Sequence, residues 1–381
     1  MISKENRMAN RERLINDFLR LAAVNSPSGH EKEIADILAI DLKGLGCEVL
    51  RDNAGEHING DTGNVIGNLK GTVADAIPIL LSAHMDTVSP TADDWGCVME
   101  GDTIRSTGKT ILGADDKAGI AAILEGIRLI QEQGIEHGDI QIMFSISEET
   151  GLSGARHWDY DMLKSKCAFV LDMGKPVGCV TVSAPSHDNI LIKVHGKASH
   201  AGARPEDGIS AIVVASKAIA KMRLGRIDDE TTANIGVISG GTARNIVPEF
   251  CEVRGEARSR NDEKLDAQVR HMIECFNEAA NEMGATVDIE VKRSYSTFRL
   301  SEDDEVVKLA LEAARRVGIE PELHETGGGS DASIFNARGF PATVIGVGYE
   351  KPHSVDESIT ISDFVKCADM VAELIKVAAG K

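Results

Sequence analysis

Apolar positions first recur at helical spacing, at Leu14, Ile15, Phe18, Leu19 and Ala22, so the chain opens with an amphipathic helix. Ser26-Pro27-Ser28-Gly29 interrupts it, and Ile34, Ile37, Leu38 and Leu42 stripe a second helix that ends at Gly44 or Gly46. Short strands are predicted at 47–50 and 64–69. The run Ile77-Pro78-Ile79-Leu80-Leu81-Ser82-Ala83 then makes a buried strand that breaks off at His84, with Asp86 two residues on. A helix rich in Ala, Ile and Leu starts at Asp115-Asp116-Lys117 and runs to about 133, where carboxylates also suit the helix dipole. Ile140, Ile142, Phe144 and Ile146 mark a strand over 139–147 that stops at Glu148-Glu149, and an apolar strand over 168–171 stops at Asp172. Strand and helix alternate, which predicts an α/β unit with a mixed, mostly parallel sheet flanked by helices. His84, Glu149 and Asp172 then leave the carboxyl ends of strands and converge on one crevice.

The rhythm changes from about His187. A half-exposed strand (Ile190, Ile192, Val194), a helix over 207–223, strands at 233–238 and 249–257, a helix over 262–283 and a strand at 286–291 give the order β-α-β-β-α-β. That is the order of a ferredoxin-like unit. The α/β pattern resumes afterwards with a helix through Val306, Leu309, Leu311 and Ala314, a strand within 339–347 and a closing helix over 361–379. The expected division is therefore a catalytic domain over 1–186 and 298–381, with an α+β domain inserted at 187–297.

Composition narrows the partners. A formal charge of −19 over 381 residues argues against nucleic acid or an anionic membrane, because both would repel it. The seven cysteines are scattered without a C-x-x-C pair, the pattern of reduced thiols. Residues 1–13 are polar and charged, unlike a signal peptide, and no apolar stretch approaches the roughly 18 residues a bilayer span needs. A soluble, cytoplasmic protein is expected.

The candidate ligands are His84, Asp115, Glu149, Asp172 and His353. Two imidazoles, several carboxylates and no thiolate suit zinc, and also cobalt or manganese. Five protein ligands exceed what one catalytic zinc with an open position uses, and a pair of metals sharing a bridging carboxylate accounts for the number.

Longer motifs surround these residues. His84-x-Asp86-Thr87, Gly113-Ala114-Asp115-Asp116-Lys117-Ala118-Gly119 and Glu148-Glu149-Thr150-Gly151-Leu152-Ser153-Gly154-Ala155 resemble signatures of the dinuclear zinc exopeptidases. That family includes peptidase T, glutamate carboxypeptidase and aminoacylase. Ala198-Ser199-His200-Ala201-Gly202-Ala203-Arg204-Pro205, Gly240-Gly241-x-x-Arg244-Asn245-Ile246-Val247-Pro248 and Gly327-Gly328-Gly329-Ser330-Asp331 extend the match over nearly the whole chain. The doublet Asp115-Asp116 followed by Lys117-Ala118-Gly119 is closest to the peptidase T branch.

The resemblance implies two Zn2+ per subunit, with Asp115 bridging, His84 and Asp172 on one ion and Glu149 and His353 on the other. It makes Glu148 the general base toward the water shared by the two ions, and has Asp86 orient the His84 ring. It also implies a cis peptide after Asp115. His200 would reach the active site of a partner subunit and stabilise the oxyanion, which implies a homodimer formed through the inserted lid domain. Asn245, Arg258 and Gly328 are the implied substrate contacts. Asp172 is followed by Met173-Gly174, whereas many tripeptidase relatives have glycine directly after the aspartate, in a loop beside the expected amine end of the peptide. The expected activity is a tripeptide aminopeptidase. A carboxypeptidase or N-acyl amino acid amidohydrolase would use the same centre, and a catalytically silent peptide binder would have no need of Glu148.

Overall fold

The computed structural model describes residues 8–91 and 95–381. The chain forms two compact units, one of Met1–Val182, Leu300–Glu325 and Ser330–Lys381, the other of Ser183–Arg299 with Thr326–Gly329.

The first unit is built on a mixed sheet. From one edge its strands run Glu48–Arg51, Val65–Leu69, Ile140–Ser145, Ile79–His84, Cys167–Val170, Ala342–Ile345 and Cys179–Ala184. The four in the middle are parallel: Ile79–His84 pairs with both Ile140–Ser145 and Cys167–Val170, which in turn pairs with Ala342–Ile345. Neighbouring pairs outside these four are antiparallel. Every residue of Ile79–His84 and Ile140–Ser145 is buried. Successive side chains of a strand point to opposite faces, so both faces of the sheet are covered, which is why these strands read as continuous apolar runs. The helix Ala114–Gln133 packs on Ile79–His84 and on the closing helix Ile361–Ala378, while Asp331–Ala337 packs on Cys167–Val170 and Ala342–Ile345.

The second unit is an antiparallel sheet in the order Thr231–Gly240, Phe250–Ser259, Ser186–His195, Thr286–Tyr295. With the helices Ala211–Lys221 and Asp262–Met283 it has the ferredoxin-like order expected from the sequence. Ile190, Ile192, Val194, Cys251 and Val253 form its core with Val214, Ala218, Met272 and Phe276 of the helices.

Two local differences have simple causes. The helix expected from 207 starts at Ala211, because the Ser210 hydroxyl accepts the Val213 N–H as an N-cap, and Pro205–Asp207 forms a separate 3-10 turn. A four-stranded sheet of Cys97–Glu100, Thr103–Ser106, Tyr349–Glu350 and Ser358–Thr360 was not expected, since strands of two to four residues carry too little periodicity to stand out. Among the described residues no helix is long and apolar enough to cross a membrane, and all seven cysteines are free thiols.

Candidate metal centre

Three adjacent parallel strands deliver the site. Ile79–His84 ends on His84, Ile140–Ser145 is followed by Ile146-Ser147 and then Glu148-Glu149, and Cys167–Val170 is followed by Leu171 and Asp172. Asp115 comes from the start of the helix Ala114–Gln133, where Asp115 and Asp116 depart from helical geometry and the peptide between them is cis. Gly119 allows this helix to lie against the Asp172 strand. A Cβ there would stand 2.3 Å from the Leu171 carbonyl oxygen and 2.4 Å from Asp116 Oδ1.

Asp115 faces two ways. Its Oδ1 is 3.1 Å from His84 Nε2, which is itself 3.8 Å from Asp172 Oδ1. Its Oδ2 is 3.3 Å from His353 Nε2, which is 3.0 Å from Glu149 Oε1. The five expected ligands thus fall into two groups that share one carboxylate. His353 adopts φ +61 and Ser147, just before Glu148, φ +48, so left-handed backbone flanks both groups.

The hydrogen bonds around Asp86 amend its expected role. The His84 ring nitrogen Nδ1 lies 2.9 Å from the Asp86 main-chain oxygen and 3.5 Å from its carboxylate, so it is the backbone carbonyl that orients the ring. The carboxylate is engaged elsewhere, accepting the N–H of Glu148 at 2.9 Å, the N–H of Glu149 at 3.2 Å and the Ser28 hydroxyl at 2.6 Å. Asp86 therefore fixes the turn that carries both glutamates. Further residues, outside the expected ligand set, join the site. The Tyr349 hydroxyl donates to Asp115 and Asp172, each at 3.2 Å. Glu31 accepts the Ser147 N–H, and Asp331 accepts the Ser145 hydroxyl. Glu357 binds three main-chain N–H groups around Asp115.

The electrostatics ask for cations. Among the described residues no lysine or arginine pairs with Asp115, Glu149 or Asp172, whose only ion-pair neighbours are the two imidazoles. Burial, then repulsion from Asp172, pushes the Glu148 carboxyl well above the usual range. Burial and the neighbouring Asp115, Glu149 and Asp331 do the same to Asp172, against the opposing pull of His84. Burial alone would lower His84, yet Asp115 and Asp86 hold it well above an ordinary imidazole. Asp115 and Glu149 raise His353 to about 10. Buried carboxylates at this density are costly without positive charge among them. Oxygen and imidazole donors converge within 4.8 Å in three overlapping sets, His84/Glu148/Asp172, His84/Asp115/Glu149 and Asp115/Asp116/Asp172. The donor set fits borderline divalent cations.

The remaining expected residues lie in the second unit. His200 is exposed, its Nδ1 accepts the N–H groups of Gly202 and Ala203, and its segment bridges to Ile246 beside Asn245, whose carbonyl accepts the Ala201 N–H. Arg258 is not a free guanidinium. It donates to Glu256 through Nε and Nη2 and to the Tyr295 hydroxyl. The Gly328 N–H donates to Thr326 Oγ1.

Residues 80–377 match the sequence model of peptidase family M20/M25/M40. The tripeptidase of Staphylococcus aureus, known from a crystal structure, shares the fold with a TM-score of 0.93 and 40% identity, covering 98% of this chain and 100% of that one. The aminopeptidase PepT of Bacillus cereus does so with a TM-score of 0.89 and 41% identity over the same shares. The uncharacterised protein YqjE of Bacillus subtilis is 42% identical over 372 residues, 98% of this chain and 100% of that protein.

Proposed function

Since the chain belongs to peptidase family M20/M25/M40 and is a metal-dependent peptidase, we propose that it is a tripeptide aminopeptidase working with two zinc ions per subunit. The observation that carries the two-metal reading is the two-sided placement of Asp115, with one carboxylate oxygen toward His84 and the other toward His353. The amino-terminal cut is supported by the solved relatives at 40–41% identity and near-complete coverage, which are described as a tripeptidase and an aminopeptidase.

In this reading His84 and Asp172 hold one ion, Glu149 and His353 the other, and Asp115 both. Ions held there would supply Lewis-acid polarisation of the scissile carbonyl and a lowered pKa for the attacking water. Glu148 takes the proton from that water and passes it to the leaving amine. It suits the part, being 8% exposed and held in place by its main-chain N–H on the Asp86 carboxylate. Positive charge held by Asp172 and Glu149 would offset the part of the upward push on its carboxyl that comes from these carboxylates.

The second unit serves as the lid and dimerisation domain, and His200 supplies the oxyanion donor to the partner copy. Its sheet supports pairing. Among the described residues, the strand Thr231–Gly240 has a neighbour on one side only beyond Ala233, and Val237 and Ile238 are about half exposed. The protein then acts on short peptides in the cytoplasm.

The test is a zinc-reconstituted assay on free tripeptides, N-blocked tripeptides and N-acyl amino acids, with products identified by mass. Release of the amino-terminal residue from free tripeptides is expected. Preference for blocked substrates would overturn the aminopeptidase reading in favour of an amidohydrolase or carboxypeptidase.

A further inference from the structure

The helix Ala114–Gln133 begins without a cap of its own. Its cap residue is Gly113, at φ +78, and no side chain from the cap reaches the first turn. The N–H groups at a helix start have no intrahelical partners and must be satisfied from elsewhere. Here they are met from more than 240 residues away in the chain. Glu357 Oε2 accepts the N–H of Leu112 and of Gly113, each at 2.8 Å, and Oε1 accepts the N–H of Asp115 at 2.9 Å. The side chain is 1% exposed, so no water competes for these bonds.

Glu357 lies four residues after His353, on the segment that enters the strand Ser358–Thr360. That strand is anchored to Thr103–Ser106, and the Ser106 N–H donates to the Glu357 carbonyl. One short, anchored segment therefore grips Asp115 at both ends, its carboxylate through the His353 ring at 3.3 Å and its main-chain N–H through Glu357. The separation between the shared carboxylate and the outer imidazole is fixed by this double grip.

We propose that Glu357 is a positioning residue of the metal centre, which sets Asp115 against His353 so that a second cation can be bound between Glu149, His353 and the shared carboxylate. The inference rests on the two-metal reading. It also explains why a carboxylate is required. Three N–H donors divide between two acceptor oxygens, and a glutamine amide has one oxygen and one NH2. Whichever way that amide turns, at least one N–H faces another donor. Alanine removes all three acceptor contacts.

The test is calorimetric titration of zinc into metal-stripped protein, wild type beside Glu357→Gln, Glu357→Ala and Asp356→Asn. Asp356 is exposed, and its main-chain N–H donates to Ser354 Oγ. Wild type and Asp356→Asn are expected to take up two zinc ions per chain with equal affinities. In Glu357→Gln the weaker of the two binding steps is expected to lose about 10–100-fold in affinity, the range typical of a residue that holds a ligand rather than the metal. Glu357→Ala is expected to lose more. Circular dichroism and thermal melting of the stripped proteins identify a variant that has failed to fold. Two-zinc binding of wild-type strength by folded Glu357→Gln and Glu357→Ala overturns the inference and leaves the function reading intact. So does a melting temperature lowered in both variants with unchanged zinc affinity, which would mark a purely structural cap. A wild type that binds fewer than two zinc ions overturns the two-metal reading and this inference with it.

Discussion

The two sheets of this chain treat their strands in opposite ways. Ile79–His84 and Ile140–Ser145 are buried at every residue, and His84 and the Glu148-Glu149 pair stand at or just past their ends. In the second unit, Thr231–Gly240 is buried at only two of its first three residues, and its last five are exposed. A strand packed on both faces has no freedom to shift, so the residues leaving its end are held firmly in place. A strand with a bare face and an open edge places nothing rigidly, but it can meet another molecule. On the proposed reading, chemistry belongs to the first kind of strand and assembly to the second.

Substitutions separate the two regions by size and kind of effect. The largest expected effect is that of Glu148→Ala, which should lower kcat by about 10²–10⁴-fold while the protein still binds zinc as wild type does. Steady-state kinetics beside metal analysis checks this, and near-normal turnover would remove Glu148 as the base. Phe144→Ala, at a fully buried position in a central strand, should cost about 3–5 kcal/mol in urea denaturation. Val237→Ser should change monomer stability by no more than about 0.5 kcal/mol yet weaken self-association in sedimentation. If the two variants melted alike, the contrast between the sheets would fail. Asp86→Asn keeps a single acceptor oxygen for three donors, and should cost about 10–100-fold in kcat or zinc affinity without loss of secondary structure by circular dichroism.

The smallest effect belongs to a carboxylate of the second unit. Glu256 is lowered to about 2, chiefly by the His187 ring 3.1 Å away, a close approach without hydrogen-bond alignment, and then by Arg258. A carboxylate depressed by folding stabilises above its ordinary pKa of about 4.5 and loses that contribution as the pH falls toward 2. Glu256→Gln should therefore melt slightly below wild type at pH 6, with the gap closing between pH 4.5 and 2. A gap that widens on acidification would contradict the assignment. Arg258, tied to this pair, is poorly placed to offer a free charge to a peptide carboxylate without first leaving Glu256.

The same contrast governs how much of the molecule is legible in its sequence. His84, Glu149 and Asp172 are legible because each ends or closely succeeds an apolar run, and the periodicity of the run announces the end. The order of elements in the second unit is legible from alternation at Ile190, Ile192 and Val194. Asp115 and His353 need longer motifs, since a turn or helix-start acid has no period. Asp331 stands within the Gly327–Asp331 motif without its role showing, and Glu357, Tyr349 and Glu31 stay hidden because they act on main-chain N–H groups, hydroxyls and carboxylates contributed by other segments. Only folding makes them neighbours, and a lone polar residue carries no sign of it. The one available cue for Glu357 is its position four residues from a ligand histidine.

The two candidate ligand histidines differ in their access to solvent, His84 having 2% of its side chain exposed and His353 54%. A chelator meets the outer imidazole first, so the two ions should leave in order, the one beside His353 early and the one beside His84 late. On the two-metal reading the centre would hold one exchangeable and one retained ion, so the metal found in the outer place should follow what the surroundings supply.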